Sequence, residues 1–298
     1  MDNKRTIKGV LLVALGASSY GMLATFVKLA YGEGYTTAEV TSSQFLLGVL
    51  GLLLINSFRK LKQKKAVAKP TPKNIRDLLL AGTSTGLTGI FYYSAVKYVP
   101  VSIGIVLLMQ TVWMGVVLEY LLDKKRLSLK KVAAVAITLL GTVLATNILK
   151  NEINLDWRGL LWGLLAAASF TATMFTANRV AVTMSTPQRS LYMLVGGTVI
   201  VLAFTFFTQT GPYNFMIFTK WAIVLSLFGT IIPPILMNAG FPLTGIGLGS
   251  IVSALELPVS VFMAFLVLHE KVIASQWFGI ALIIFAIFIM NKSHLKKS

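Results

Sequence analysis

The chain reads as an all-α integral membrane protein with ten transmembrane helices arranged as two inverted five-helix repeats. Three observations predict this. Long apolar stretches fill most of the 298 residues, and mean hydropathy is +0.78. Lysines and arginines gather in alternate connections. The small residues of the first half recur in the second at a constant offset.

A helix crossing a bilayer needs about 20 largely apolar residues. Ten segments qualify as candidates: 8–30, 37–58, 77–97, 101–122, 130–148, 158–178, 190–208, 220–240, 245–268 and 273–291. Only 12% of residues are charged, about half the soluble-domain share, and 56% are hydrophobic. No connection is long enough to form a separate soluble domain. The first apolar run continues past Leu29 without a small-residue cleavage site, so it reads as an uncleaved span.

Orientation follows from the positive-inside rule. With the N-terminus inside, the inner segments hold Lys4, Arg5 and Lys8, then eight positive residues between Arg59 and Arg76. Five more lie between Asp123 and Lys131, followed by Arg179, Arg189, Lys292, Lys296 and Lys297. The outer segments keep Lys28, Lys97, Lys150, Arg158, Lys220 and Lys271. An even number of spans then returns the C-terminus inside. The expected location is a cytoplasmic membrane, with both termini cytoplasmic.

This placement also accounts for the net charge of +17 without nucleic acid. The cationic loop 59–76 has no aromatic residue to stack a base. It reads as a topology signal that also touches anionic head groups.

Offset by 150 residues, GVLLVALGASSYG from Gly9 lies on GLLWGLLAAASFT from Gly159. Offset by 145, Gly104 meets Gly249, Thr111 meets Glu256 and Gly115 meets Ser260. The division falls into residues 1–150 and 151–298. Five spans per half is odd, so the second half enters the membrane from the opposite side. Inverted repeats of this kind mark secondary transporters, with the substrate path between the halves.

The stretch Gly245–Glu270 carries one carboxylate, Glu256, near its middle, and Pro258 two residues later. Gly245, Gly249, Ser253, Glu256, Ser260 and Ala264 share one helical face. A charge and a helix breaker at membrane depth both need a reason. Glu256 is either a proton- or amine-binding group in a cavity or a neutral hydrogen-bonding residue. Pro258 and the pair Pro233–Pro234 are candidate hinges or static kinks, since proline removes a helix hydrogen bond.

Span 1 brings Gly9, Gly16 and Tyr20 to one face, span 3 brings Gly82, Gly86, Gly89 and Tyr93, and span 8 carries Gly229 and Asn238. Span 4 carries Gln110, Thr111, Trp113, Gly115 and Glu119. The glycines read as helix packing sites. The expected substrate-binding residues are Glu256, Gln110, Trp113, Tyr93, Tyr20 and Asn238. Glu119 reads as interfacial, Lys28 as reaching toward the membrane surface, and Glu39 as a helix-start carboxylate. Spans 5 and 10 are plain and are expected outside the cavity.

Catalytic patterns are weak. Gly82-Thr83-Ser84-Thr85-Gly86 matches G-x-S-x-G but lies in an apolar span, not at a strand-to-helix turn. Gly245-Ile246-Gly247-Leu248-Gly249 follows no strand. With no cysteine and two histidines, no metal site is expected, and no catalytic residue or cofactor. The chain reads as a non-enzyme.

Leu255-Glu256-Leu257-Pro258-Val259, Leu266 to Lys271, Gln276 and Gly279 together resemble the second repeat of the EamA branch of the drug/metabolite transporter superfamily. In the first repeat Tyr98 to Ser102 and Arg126-Leu127-Ser128 fit that pattern, whereas Trp113 and Lys125 stand where the family often has Pro and Glu. The resemblance implies a secondary transporter, exporting or exchanging small metabolites such as amino acids across the cytoplasmic membrane. The expected partners are a small-molecule substrate, the bilayer and a coupling proton. A lipid-head-group flippase or accessory subunit, or an integral-membrane enzyme, are the alternatives.

Overall fold

The computed structural model describes residues 3–62, 70–95, 97–99, 101–124, 128–146 and 156–295. Residues 63–69 of the cationic loop, Pro100, Lys125, Arg126, Leu127, Lys150, the 150/151 division, Lys296 and Lys297 lie outside the described residues, as do the side chains of Ser102, Lys292 and His294.

The described chain is helical throughout. In the first half come α1 (Asn3–Gly32), α2 (Thr37–Lys62), α3 (Pro72–Ala95), α4 (Val101–Leu108), α5 (Thr111–Asp123) and α6 (Leu129–Ala145). In the second come α7 (Trp157–Arg179), α8 (Thr186–Thr208), the short α9 (Ile217–Lys220) and α10 (Ala222–Ser226). A π-helical turn (Leu227–Ile231), α11 (Ile232–Thr244), α12 (Ile246–Ser253), α13 (Glu256–Val267) and α14 (Ala274–Leu295) complete it.

Among the described residues, seven stretches are long and apolar enough to cross a membrane. They are α1, α2, the α4–α5 pair from Ile103, α7, α8, the α10–α11 segment and the α12–α13 pair. α14 adds a shorter apolar run, Ala274–Met290. The expected ten is therefore met at seven. α6 spans only 17 residues, and α3 dilutes its apolar residues with Gly, Ser, Thr and Tyr.

Helix starts follow local chemistry. Thr36 Oγ1 accepts from Glu39 N at 3.2 Å while Glu39 Oε2 accepts from Thr36 N at 2.8 Å, a reciprocal cap for α2. Asp156 caps α7 through Arg158 N at 2.8 Å, and Ser128 caps α6 through Lys131 N at 3.3 Å. Between α11 and α12 the chain turns at Gly245 with φ 78°, a region open to glycine at little cost.

Packing repeats across the halves. α1 lies along α11 and α13; α7 lies along α3 and α4. α3 packs on α8, as the α10–π segment packs on α2. α6 and α14 pair with each other, and so do α5 and α12. Gly9 sits against the side chains of Leu243 and Thr244 and Gly159 against those of Tyr98 and Val99, the same contact at the two offsets found in the sequence. The glycines set these approaches: Gly82 abuts the Met193 backbone, Gly86 the Gly197 carbonyl, and Gly141 the Gly279 carbonyl. The G-x-S-x-G pattern is thereby a helix-packing site.

Candidate functional site

The polar interior begins with two broken helices. α4 and α12 are each eight residues long and end at a two-residue turn, Met109–Gln110 and Ala254–Leu255, before α5 and α13. The two breaks share hydrogen bonds. Gln110 N donates to Leu107 O at 3.1 Å and Leu255 N to Val252 O at 3.1 Å. Val112 N donates to Met109 O at 3.0 Å and Leu257 N to Ala254 O at 3.2 Å. Gln110 and Leu255 have nearly the same backbone angles, φ −59°, ψ −18° and φ −61°, ψ −18°. Pro258 lies in the first turn of α13, where a missing N–H costs little. Its counterpart, Trp113, is not proline, so the break is a property of the repeat.

Glu256 is the first residue of α13. Its backbone carbonyl faces Gly21 of α1, where a side chain would collide with it and with Val259. Its side chain is half-buried and makes no hydrogen bond or ion pair with the described residues. Tyr20 on α1 and Tyr92 on α3 lie within electrostatic range of it. Tyr92 and Tyr93 meet edge to face at 5.9 Å.

Tyr20 also borders a second space, a small cavity between the helices. Phe170, Met174, Met193, Met237, Phe241 and Pro234 line it, with Thr85, Thr173, Ser190 and Asn238. Tyr20 meets Phe170 edge to face at 6.5 Å. Asn238 is 2% exposed; its Nδ2 donates to Ser190 Oγ at 2.9 Å and its Oδ1 has no partner among the described residues. A buried unpaired acceptor on a cavity wall is a place for a ligand donor.

The structure thus brings Tyr20 and Asn238 to one cavity, with Glu256 and Tyr93 outside its lining. Gln110 and Trp113 also lie outside that lining and bond each other, Trp113 Nε1 donating to Gln110 Oε1 at 2.9 Å. Pro233 and Pro234 occupy the first turn of α11, directly after the π-helical turn.

Arg189, read from sequence as a loop cation, is instead 2% exposed. Its guanidinium donates to the carbonyls of Val180 (3.0 Å), Asn238 (2.8 Å), Thr176 (3.1 Å) and Ala177 (2.7 Å). Two of these carbonyls, on Thr176 and Ala177, belong to the end of α7, where a cation is favoured. The Asn238 carbonyl is the one that Pro242, four residues on, cannot bond. Neither role has a short-range sequence signal beyond that proline spacing.

At one end of the bundle Lys131 pairs with Glu119 and Arg179 with Asp123; at the other Lys28 pairs with Glu270, and Lys220 with Glu33 at 3.2 Å. The interfacial reading of Glu119 takes this form: it is 8% exposed and fills the space left by Gly245 and Gly247. The nearby Trp221 and Lys220 side chains hold the Glu33 carboxyl below its ordinary range.

A helical bundle of apolar segments, built twice and enclosing polar side chains between the halves, defines a polytopic membrane transporter fold. The EamA-like transporter family model matches residues 7–147 and again 157–292, so the chain belongs to that family. A solved structure described as "Crystal structure of protein" aligns with a TM-score of 0.74 over 96% of this chain and 97% of that chain. At 16% identity this likeness shows a shared fold. No curated protein matches the chain.

Proposed function

We propose that the protein is a secondary transporter, an exporter or exchanger of small metabolites, working by alternating access between two inverted five-span repeats. The observation that carries this reading is the pair of matched breaks at 109–110 and 254–255 in halves whose packing exchanges partners. Broken helices facing each other across a repeat interface are where transporters hold substrate and bend.

In this reading α3, α6 and α14 complete ten spans, residues 1–150 and 151–298 are the halves, and both termini face the cytoplasm. Glu256, Tyr20, Tyr93 and Asn238 bind substrate, with Gln110 and Trp113 steadying the first break. Pro258, Pro233 and Pro234 sit at the bending points. A proton or the substrate's positive group pairs with Glu256. No chemical step is assigned to the protein.

The test is solute flux in proteoliposomes of the purified chain. Transport of a metabolite set, lost in Glu256→Gln, is the expected result. Glu256→Gln with unchanged rate and pH profile would sink the assignment of Glu256.

A further inference from the structure

The packing divides the helices into two bodies, each drawn from both halves. One joins α1 and α2 to α10, α11 and α13; the other joins α3 and α4 to α7 and α8. Between the bodies α5 packs on α12, and α7 and α8 pack on α11. The repeat relates α5 to α13, α12 to α4, α7 to α1, α8 to α2 and α11 to α3. The images of these contacts are therefore α13 on α4, α1 on α3 and α2 on α3. Among the described residues none of those pairs packs together. α2 and α8, each the other's image, do pack, and so keep their contact in either arrangement.

Burial follows the same division. All eight residues of α12 are buried, whereas in α13 only Leu257 and Pro258 are. In α4, the image of α12, the buried side-chain positions are Ile103 and Gly104. The bodies thus meet where α7 and α11 end and stand apart where α1 and α13 end.

Polar groups cross the contact that is made. Glu119 of α5 pairs with Lys131 of α6, and its carboxylate abuts Gly245 and Gly247 at the start of α12. The first N–H groups of a helix lack partners within it and favour a negative charge there. Asn178 Nδ2, near the end of α7, donates to the Phe241 carbonyl near the end of α11. Ser250 Oγ of α12 donates to Val112 O of α5 at 3.1 Å. At the corresponding positions of the other half these groups are missing or engaged. Ala264, 145 residues from Glu119, and Ile105, 145 from Ser250, are apolar. Lys28, 150 residues from Asn178, pairs with Glu270, which follows α13 in its own body.

We propose that Glu119 and Asn178 are positioning residues of a one-sided latch, which holds α5 on α12 and α7 on α11, and that the opposite conformation closes α13 on α4 and α1 on α3 with no equivalent latch. This rests on the transporter reading and adds which residues keep one side shut. In the orientation proposed above the latch lies at the cytoplasmic end.

The chain has no cysteine, so spin labels can be placed in pairs on the full chain in lipid nanodiscs. Lys8→Cys with Val182→Cys spans the latched end, and Trp157→Cys with Phe265→Cys the parted end; all four positions are exposed. Glu119→Gln combined with Asn178→Val is expected to raise the ratio of long to short Lys8–Val182 distances about tenfold, the scale of one or two lost polar contacts. The Trp157–Phe265 distance should shorten in step, which a merely loosened bundle would not show. Asn178→Val alone should move both distances in the same directions, and it carries the test if Glu119→Gln fails to fold. Unchanged distances in Asn178→Val, or lengthening at the latched end without shortening at the other, overturns the latch. The distances are read without substrate, so they stand or fall apart from solute flux, which tests the transporter reading.

Discussion

Thr111 Oγ1 lies 2.8 Å from Thr171 Oγ1, joining α5 to α7 where the other half brings Glu256 against Gly21 of α1. The two contacts occupy equivalent places in the two repeats. One is a buried hydroxyl pair; the other leaves a carboxylate without a hydrogen bond or ion pair among the described residues. The halves are alike in backbone and unlike in charge.

The hydroxyl pair can be weighed by a double-mutant cycle. Thr111→Val and Thr171→Val are each expected to cost about 1 kcal/mol, and the double variant little more than either, because interhelical hydrogen bonds in membranes contribute about 0.6–2 kcal/mol. Unfolding of the detergent-solubilised protein measures this. Additive losses would mean the hydroxyls act separately.

Glycine substitutions should divide sharply. A side chain at Gly82 would enter the Met193 backbone, whereas one at Gly89 meets nothing closer than Tyr93 Cε2 at 3.9 Å. Gly82→Ala should destabilise by about 1–3 kcal/mol as overpacking does. Gly89→Ala should be near neutral. Thermal midpoints of the two variants make the comparison.

Arg189 and Pro242 should be coupled. Pro242→Ala restores an N–H that competes for the Asn238 carbonyl, so Arg189→Gln should cost less in that background by about 1 kcal/mol. Arg189→Lys should not substitute, because an ammonium cannot reproduce the planar fork that spans three segments. Unfolding midpoints of the single and double variants test both statements.

Pro258→Ala should preserve the break at Ala254–Leu255. Span 4 makes the same turn with Trp113 at the corresponding position. Pulsed electron-spin distances across the break should shift little, and a straightened helix would show that the proline causes it.

Tyr213, in the connection between α8 and α9, bonds Ser42 Oγ at 2.8 Å and the Glu39 carbonyl at 3.3 Å. Burial, together with the Glu39 charge, pushes its phenol above the ordinary tyrosine value, against the pull of the Ser42 bond. A raised folded-state pKa stabilises the neutral form. That contribution is complete below about pH 10, the unfolded value, and is lost as pH rises through the folded one. The thermal midpoint of the parent should fall more steeply than that of Tyr213→Phe in this alkaline range.

The sequence by itself determined the membrane class, the two halves and the glycine contacts, because hydropathy, repeat offset and small-residue spacing are local or periodic signals. It also singled out Glu256 as unusual. Tertiary structure decided what surrounds each polar group. It set Arg189 inside on four carbonyls, satisfied Gln110 with Trp113, and separated the Asn238 cavity from the Glu256 region. It also broke span 4 without a proline. Those outcomes depend on which helix faces which across hundreds of residues, and a polar side chain's partner in a bundle leaves no mark on the residues beside it in the chain.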